Sequence, residues 1–330
     1  MTADPDLAAA SDWLLFGAVL CYVVAMLGYA AELAFGRRAP DGPAPIAGGS
    51  TDTLPAEWVS ERAARRVARH GGERGWPTAV GKAAVAVTVL GWLLHNGSLV
   101  TRGLAVERVP WGNMYEFSSA VCLAAVTAYL YLLTRQPVRY LGAFVMLPVV
   151  VYLGIAGTVL YAPAAPLVPA LNSYWIKIHV VAAMTSSGIF MLGFAVTLLY
   201  LARESWERRH PEVPEVGAGA ASRVRFPAAS TLDTVAFRVN AFAFPIWTFA
   251  VIAGAVWAEA AWGRYWGWDP KETWSFITWV VYAGYLHARA TAGWRGRRAA
   301  LIGVAGFTAL MICYYAVNLW ISGLHSYAGV

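Results

Sequence analysis

The sequence predicts an all-α, polytopic membrane protein with about eight transmembrane helices and both termini on the extracytoplasmic side. Three observations predict it. Of 330 residues, 58% are hydrophobic and only 13% charged, against about 25% charged in soluble domains. Eight apolar segments, at about 13–35, 79–100, 117–134, 140–161, 175–202, 239–260, 273–291 and 299–321, match the roughly 20 residues that a spanning helix needs. Lys and Arg are confined almost entirely to alternate connecting loops, as the positive-inside rule requires.

The first segment follows Asp4, Asp6 and Asp12 rather than a basic stretch, and its apolar run is long. It therefore reads as a retained helix rather than a cleaved signal peptide. The loop 37–78 opens with Pro, Gly and Ala and continues as a basic stretch, Glu57 to His70, with the composition of an interfacial amphipathic helix. Residues 1–78 thus form an N-terminal helix with a basic cytoplasmic loop, and 79–330 the principal transmembrane domain. The third span is short. The fifth is long, so its outer end is expected to project as an interfacial turn. The polar loop 203–238, with Pro and Gly at 211–219, reads as a linker.

The loops after spans 1, 3, 5 and 7 carry 20 of the 25 Lys and Arg. Arg102, Arg108, Lys177, Arg264 and Lys271 are the exceptions. The loops with few cations, including 101–116, 162–174 and 261–272, are then extracytoplasmic. The net charge of +6 follows from this bias and gives no reason to expect nucleic-acid binding. Cys21, Cys122 and Cys313 all fall inside spans. With no CxxC pair there is no thioredoxin-like site, and with no CxxCH motif any cofactor is held reversibly.

Six of the 16 Trp fall between Trp257 and Trp279: Trp257, Trp262, Trp266, Trp268, Trp274 and Trp279. An interfacial aromatic belt accounts for two or three Trp at helix ends. It does not account for Trp262, Trp266 and Trp268 alternating with Gly263 and Gly267 ahead of Asp269-Pro270-Lys271-Glu272. Rigid indole faces in one loop suit a flat aromatic ligand. Asp269 and Pro270 also fit the N-cap and first turn of the next helix.

His70 and His210 sit in basic loops and read as solvated. His179, at the outer start of span 5, and His325, beyond the outer end of span 8, share a face with the Trp loop and could close a haem iron from both sides. His287 lies about 21 Å into span 7, toward the cytoplasmic side. His95 lies about 24 Å into span 2, which runs the other way, so the two differ in depth by about 15 Å and do not share one iron. For His95 a helix–helix hydrogen bond is the favoured role. At the mouth of span 3 stand Asn113, Tyr115 and Glu116. Lys177, Arg264 and Lys271 are the cations nearest the Trp loop, suited to carboxylates such as haem propionates. Glu116, Asp269 and Glu272 read as groups that orient these cations, and nothing reads as a dedicated acid or base.

The segment WGRYWGWDPKETW resembles the WWD signature of the haem-handling superfamily, which includes the CcsA/ResC proteins of system II cytochrome c biogenesis and the CcmC and CcmF proteins of system I. The DPKETW continuation is of the CcsA/ResC form. VPWGNMYEF is similar to a segment of that branch near its third helix, with Glu107, Arg108, Gly112 and Phe117 departing from it. The order of His179, His287 and His325 around the Trp loop also resembles that branch. The resemblance covers about residues 79–330. It implies transmembrane delivery of haem b, held non-covalently, and its presentation to the CxxCH motif of apocytochrome c as part of a cytochrome c synthase with a ResB-type partner. It also admits thiol-reducing, thioredoxin-like partners. By the resemblance, His179 and His325 are the outer iron ligands, His287 is an inner ligand whose co-ligand comes from the partner, and the Trp loop holds the porphyrin. The alternatives are a system I protein and a haem-free polytopic transporter.

Overall fold

A computed structural model describes residues 3–35, 76–166, 173–210 and 227–325. Among them are eight long helices and no strand: α1 Pro5–Phe35, α2 Trp76–Ala105, α3 Met114–Arg135, α4 Gly142–Thr158, α5 Tyr174–Arg209, α6 Ala229–Trp262, α7 Pro270–Ala290 and α8 Arg297–Met311. A 3₁₀ turn, Arg139–Leu141, leads into α4, and α8 continues through a π turn, Ile312–Ala316, into Val317–Trp320. The basic stretch 57–70 and the Pro/Gly segment 211–219 lie outside the described residues.

Seven of the helices are long and apolar enough to cross a membrane. The sequence predicted eight. The difference is α7, whose 21 residues would reach about 32 Å but include several polar ones. Three of its charged side chains are bound within the protein. Glu272 holds the preceding loop, Lys271 reaches Asn318, and Arg289 makes two bonds, of 2.7 and 2.9 Å, to Asp233 of α6. The length of α5 was also anticipated, but not the place of its extra turns. They extend past 202 to Arg209, at the end opposite the expected one, and α6 begins at Ala229 instead of about 239. There the (i, i+4) pairs Arg203–Glu207 and Arg208–Glu204 support a polar helix end, and Glu207 accepts from the first N–H of α6 at 3.1 Å.

Successive helices run in opposite directions. The Asp4 N–H donates to Ala105 O at 2.8 Å, which sets the start of α1 beside the end of α2. At that same end Asp12 accepts from Tyr115 (3.3 Å, start of α3) and from Tyr161 (2.7 Å, after α4), and Tyr314 of α8 bonds Met114 O at 2.8 Å. The far end is tied by Arg139–Glu32 (2.8 Å through Nε) and Arg289–Asp233. Asp4 and His325 therefore lie at one end of the bundle.

Several polar side chains inside the bundle are paired across helices, which offsets the cost of burying them. His95 is fully buried, and its nitrogens share hydrogen bonds with Ser119 Oγ (2.8 Å) and Tyr22 OH (3.3 Å). It is the helix–helix link favoured from its sequence context. Tyr29 and Thr88 join α1 to α2 at 3.0 Å. The hub is α5, 83% buried over its most apolar stretch. Gly188 lets it approach α3 closely: a Cβ there would lie 2.6 Å from Val121 O and 2.7 Å from Ala125 N. Replacement of Gly188 by Val forces two backbones apart and should cost about 1–3 kcal/mol. Gly154→Ala, facing open space, should be near neutral. Thermal unfolding of both variants in detergent checks this.

Candidate functional site at the aromatic end of the bundle

Helix α6 stops at Gly263, whose φ of +71° and N–H bond to Glu259 O (2.8 Å) make a left-handed C-cap, a conformation glycine adopts without strain. The chain crosses the bundle end and re-enters as α7 through two carboxylates. Glu272 accepts from Gly267 N (2.8 Å) and Asp269 N (3.1 Å). Asp269 accepts from Lys271 N (3.2 Å), completing a capping box with Pro270 in the first turn, as the sequence predicts. Trp268, between them, holds φ +57°, a strained value for a bulky residue.

Asp269 also accepts from Leu324 N (2.7 Å) and from His325 Nδ1 (2.8 Å). It thereby brings the segment beyond α8 onto the Trp loop. His179, on α5, bonds Ala250 O of α6 through Nδ1 at 2.7 Å. Trp257, 2% exposed, neighbours both imidazoles. It lies parallel to His179 (centroids 6.3 Å, 11°) and edge-on to His325 (5.8 Å, 63°). Trp262 meets Trp257 at 4.7 Å and His325 at 5.0 Å, both edge-on. Burial lowers the His325 pKa against the opposing pull of Asp269. Burial works to raise the Asp269 pKa, but hydrogen bonds from His325, Leu324 and Lys271 hold it down to about 2. Since a carboxylate oxygen only accepts, the imidazole donates to it from Nδ1–H.

This cluster lines a cavity of about 160 Å³ that opens to solvent. His179, His325, Trp257, Trp262, Trp266, Lys271 and Asn113 line it. Lys271 Nζ is held by Asn318 Oδ1 at 2.8 Å. Asn113 caps α3, accepting from Glu116 N at 2.8 Å. Glu272 lines it as well, whereas Lys177, Arg264, Trp268, Asp269, Trp274, Tyr115, Glu116 and His287 stand outside the lining. Lys177 and Arg264 are exposed, and Trp274 is half-buried. Trp268, 65% exposed, meets Trp266 edge-on at 5.8 Å.

Tyr115 and Glu116 belong to a lock behind the cavity wall. Glu116, fully buried, receives Arg102 Nε (2.9 Å), Arg108 Nη1 (2.8 Å) and Gly112 N (2.7 Å), and Arg102 lies over the Tyr115 ring at 4.7 Å. His287 sits near the opposite end, exposed on α7, with Nε2 3.2 Å from Thr291 Oγ1.

Sequence reasoning missed Trp111, Tyr152, Trp247 and Tyr314, all of which line the cavity. Trp111 lay within a segment already singled out. Tyr152 and Tyr314 are mid-helix residues that read as core, and the π turn holding Tyr314 leaves no mark in the sequence.

A model of the cytochrome c assembly protein family matches residues 111–325, from one wall of the cavity to His325. The chain belongs to the cytochrome c assembly protein family. It is 35% identical over 297 residues to the cytochrome c biogenesis protein CcsA of Gloeobacter violaceus, covering 75% of this chain and 86% of that one. It is 36% identical over 253 residues to the CcsA protein of Guillardia theta, covering 73% and 83%. It is also 36% identical over 278 residues to the CcsA protein of Synechocystis, covering 69% and 83%. It is thus an integral membrane protein of CcsA type, with a role in cytochrome c biogenesis. Helices α1 and α2 lie outside the family match, yet α2 supplies Arg102 to the lock within it. Glu116→Ala would leave two arginines, of 2% and 10% side-chain exposure, without their carboxylate. It should cost about 3–5 kcal/mol, read as a lowered thermal midpoint.

Proposed function

We propose that this chain receives haem b, holds it non-covalently between His179 and His325 on the extracytoplasmic face of the plasma membrane, and presents it to apocytochrome c. In this reading it works with a ResB-type membrane partner as a system II cytochrome c synthase. One observation carries the proposal: two neighbouring imidazoles of one apolar, Trp-walled cavity are each anchored through Nδ1. Nε2 is then the nitrogen through which each would hold iron, the arrangement usual for metal-bound histidine. The donor set fits haem: two histidines suffice for an iron that already has four porphyrin nitrogens, and Trp257, Trp262 and Trp266 offer flat apolar faces. Lys271 is the cation of the lining suited to a propionate.

The positive-inside rule supports the orientation, since the loops at this end hold few of the Lys and Arg. The protein's contribution to the reaction is positioning. It holds the substrate's vinyl carbons where the two CxxCH thiols reach them, so that the encounter becomes intramolecular. The cytochrome's own histidine then displaces one of the two imidazoles.

Ala at either His179 or His325 should remove the six-coordinate, low-spin spectrum and stop cytochrome c maturation, and added imidazole should restore part of both. A variant that matures cytochrome c normally without imidazole eliminates that histidine as an obligatory ligand.

His287 serves a second, inner haem in this reading, with its other ligand supplied by the partner. Its exposure on α7 and its distance along that helix from the aromatic end support this. Haem at His287 should be absent or five-coordinate in the chain alone, and six-coordinate when the partner is co-expressed. An unchanged spectrum in His287→Ala with the partner present would remove that role.

A further inference from the structure

The two histidines of the cavity are anchored by unlike partners. The Nδ1 partner of His179 is a neutral carbonyl, Ala250 O at 2.7 Å. That of His325 is the carboxylate of Asp269 at 2.8 Å. A charged acceptor makes the stronger hydrogen bond and draws the Nδ1 proton further from the ring, so that Nε2 becomes the better electron donor.

Asp269 also has no freedom to move away. Its two oxygens accept from Lys271 N and Leu324 N as well, and its own N–H is held by Glu272. The tail meets it closely: a Cβ at Gly323 would stand 2.7 Å from Asp269 Oδ1 and 3.3 Å from Pro270 Cδ. The approach of His325 therefore depends on this carboxylate and on the bare backbone two residues earlier.

We propose that Asp269 is a positioning residue that acts through His325: it fixes the imidazole as the Nδ1–H tautomer, sets its place beside Trp257 and Trp262, and makes it the stronger-donating of the two ligands, biasing a bound haem toward the ferric state. This rests on the reading of His179 and His325 as haem ligands. Electron-rich axial ligation stabilises the higher oxidation state, and outer-sphere hydrogen bonding is one of the levers by which a protein sets haem potential. The carboxylate does not touch the iron or the reacting vinyl groups.

The test uses the full chain purified with its partner and its own haem, in four variants: Asp269→Asn, Asp269→Ser, Gly323→Ala and His325→Ala. Asn keeps the helix cap and an uncharged acceptor for Nδ1 in place of Oδ2, and gives up the bond from Leu324 N to Oδ1. The haem should stay six-coordinate and low-spin, with its reduction potential shifted to a more positive value. Ser keeps the cap of α7 but is too short to hold His325. Haem retention should fall about tenfold or more, with a high-spin component that imidazole abolishes. Gly323→Ala leaves every polar group in place and should shift spectrum and potential in the same direction as Ser. Should Asp269→Ser fail to fold, Asp269→Asn and Gly323→Ala carry the test. A wild-type spectrum and potential in those two variants would overturn the proposal. If His325→Ala itself keeps the wild-type low-spin spectrum, the ligand assignment fails, and this inference fails with it. Loss of that spectrum in His325→Ala alone, with the Asn and Gly323 variants unchanged, overturns only the role of Asp269.

Discussion

A polar group inside a membrane protein has no water to turn to, and this constraint shapes the whole bundle. An unsatisfied backbone group in hydrocarbon costs several kcal/mol, so the apolar segments form helices. Side chains that could not be apolar are joined across helices: His95 to Ser119 and Tyr22, Tyr29 to Thr88, Tyr314 to Met114. The same constraint anchors the two imidazoles of the cavity. Each gives its Nδ1 proton to a fixed acceptor on a neighbouring element.

The aromatic end is held by two sets of buried charges with different tasks. The Arg102–Glu116–Arg108 lock is nearly dry, at 2%, 0% and 10% side-chain exposure. It joins the end of α2, the start of α3 and the chain after α4, where Ala162 O and Ala165 O take further arginine bonds. Buried ions of this kind are costly to form and costlier to break, so they fix the Trp111–Met114 wall without entering the cavity. Asp269 and Glu272 form the second set and gather backbone N–H groups that a tight turn would otherwise leave unpaired. Nothing in the fold requires Asp269 to take His325 as well. That bond joins the Trp loop to the chain's last described residues, 56 positions away.

Strain and close packing concentrate at the same end. Trp268 adopts a left-handed conformation that a bulky side chain disfavours, a cost of the order of 1–3 kcal/mol. The π turn of α8 adds a residue to one helical turn and places Cys313 and Tyr314 in the cavity wall. Such turns recur at functional sites. The opposite end is tied by ion pairs such as the largely buried Arg289–Asp233, and His287 faces outward there.

The sequence by itself determined the helices, their alternation and the family. Hydrophobic length and the placement of cations are local properties of the chain, and the WWD-like loop, the capping Asp269-Pro270 and the histidine order can be read as strings. It also determined that His95 and His287 could not meet, because depth follows from counting residues along a helix. It misplaced the projecting end of α5, which (i, i+4) ion pairs within that helix support. Only the tertiary structure decided which members of the Trp loop face the cavity. It placed Trp257, Trp262 and Trp266 inward and Trp268 outward, turned Tyr115 and Glu116 to a lock behind the wall, and brought Tyr152 and Tyr314 in from distant helices. It alone paired Asp269 with His325. Periodicity reports one element's faces. Which of those faces meet across the bundle depends on contacts between segments dozens to hundreds of residues apart, and no local pattern records them.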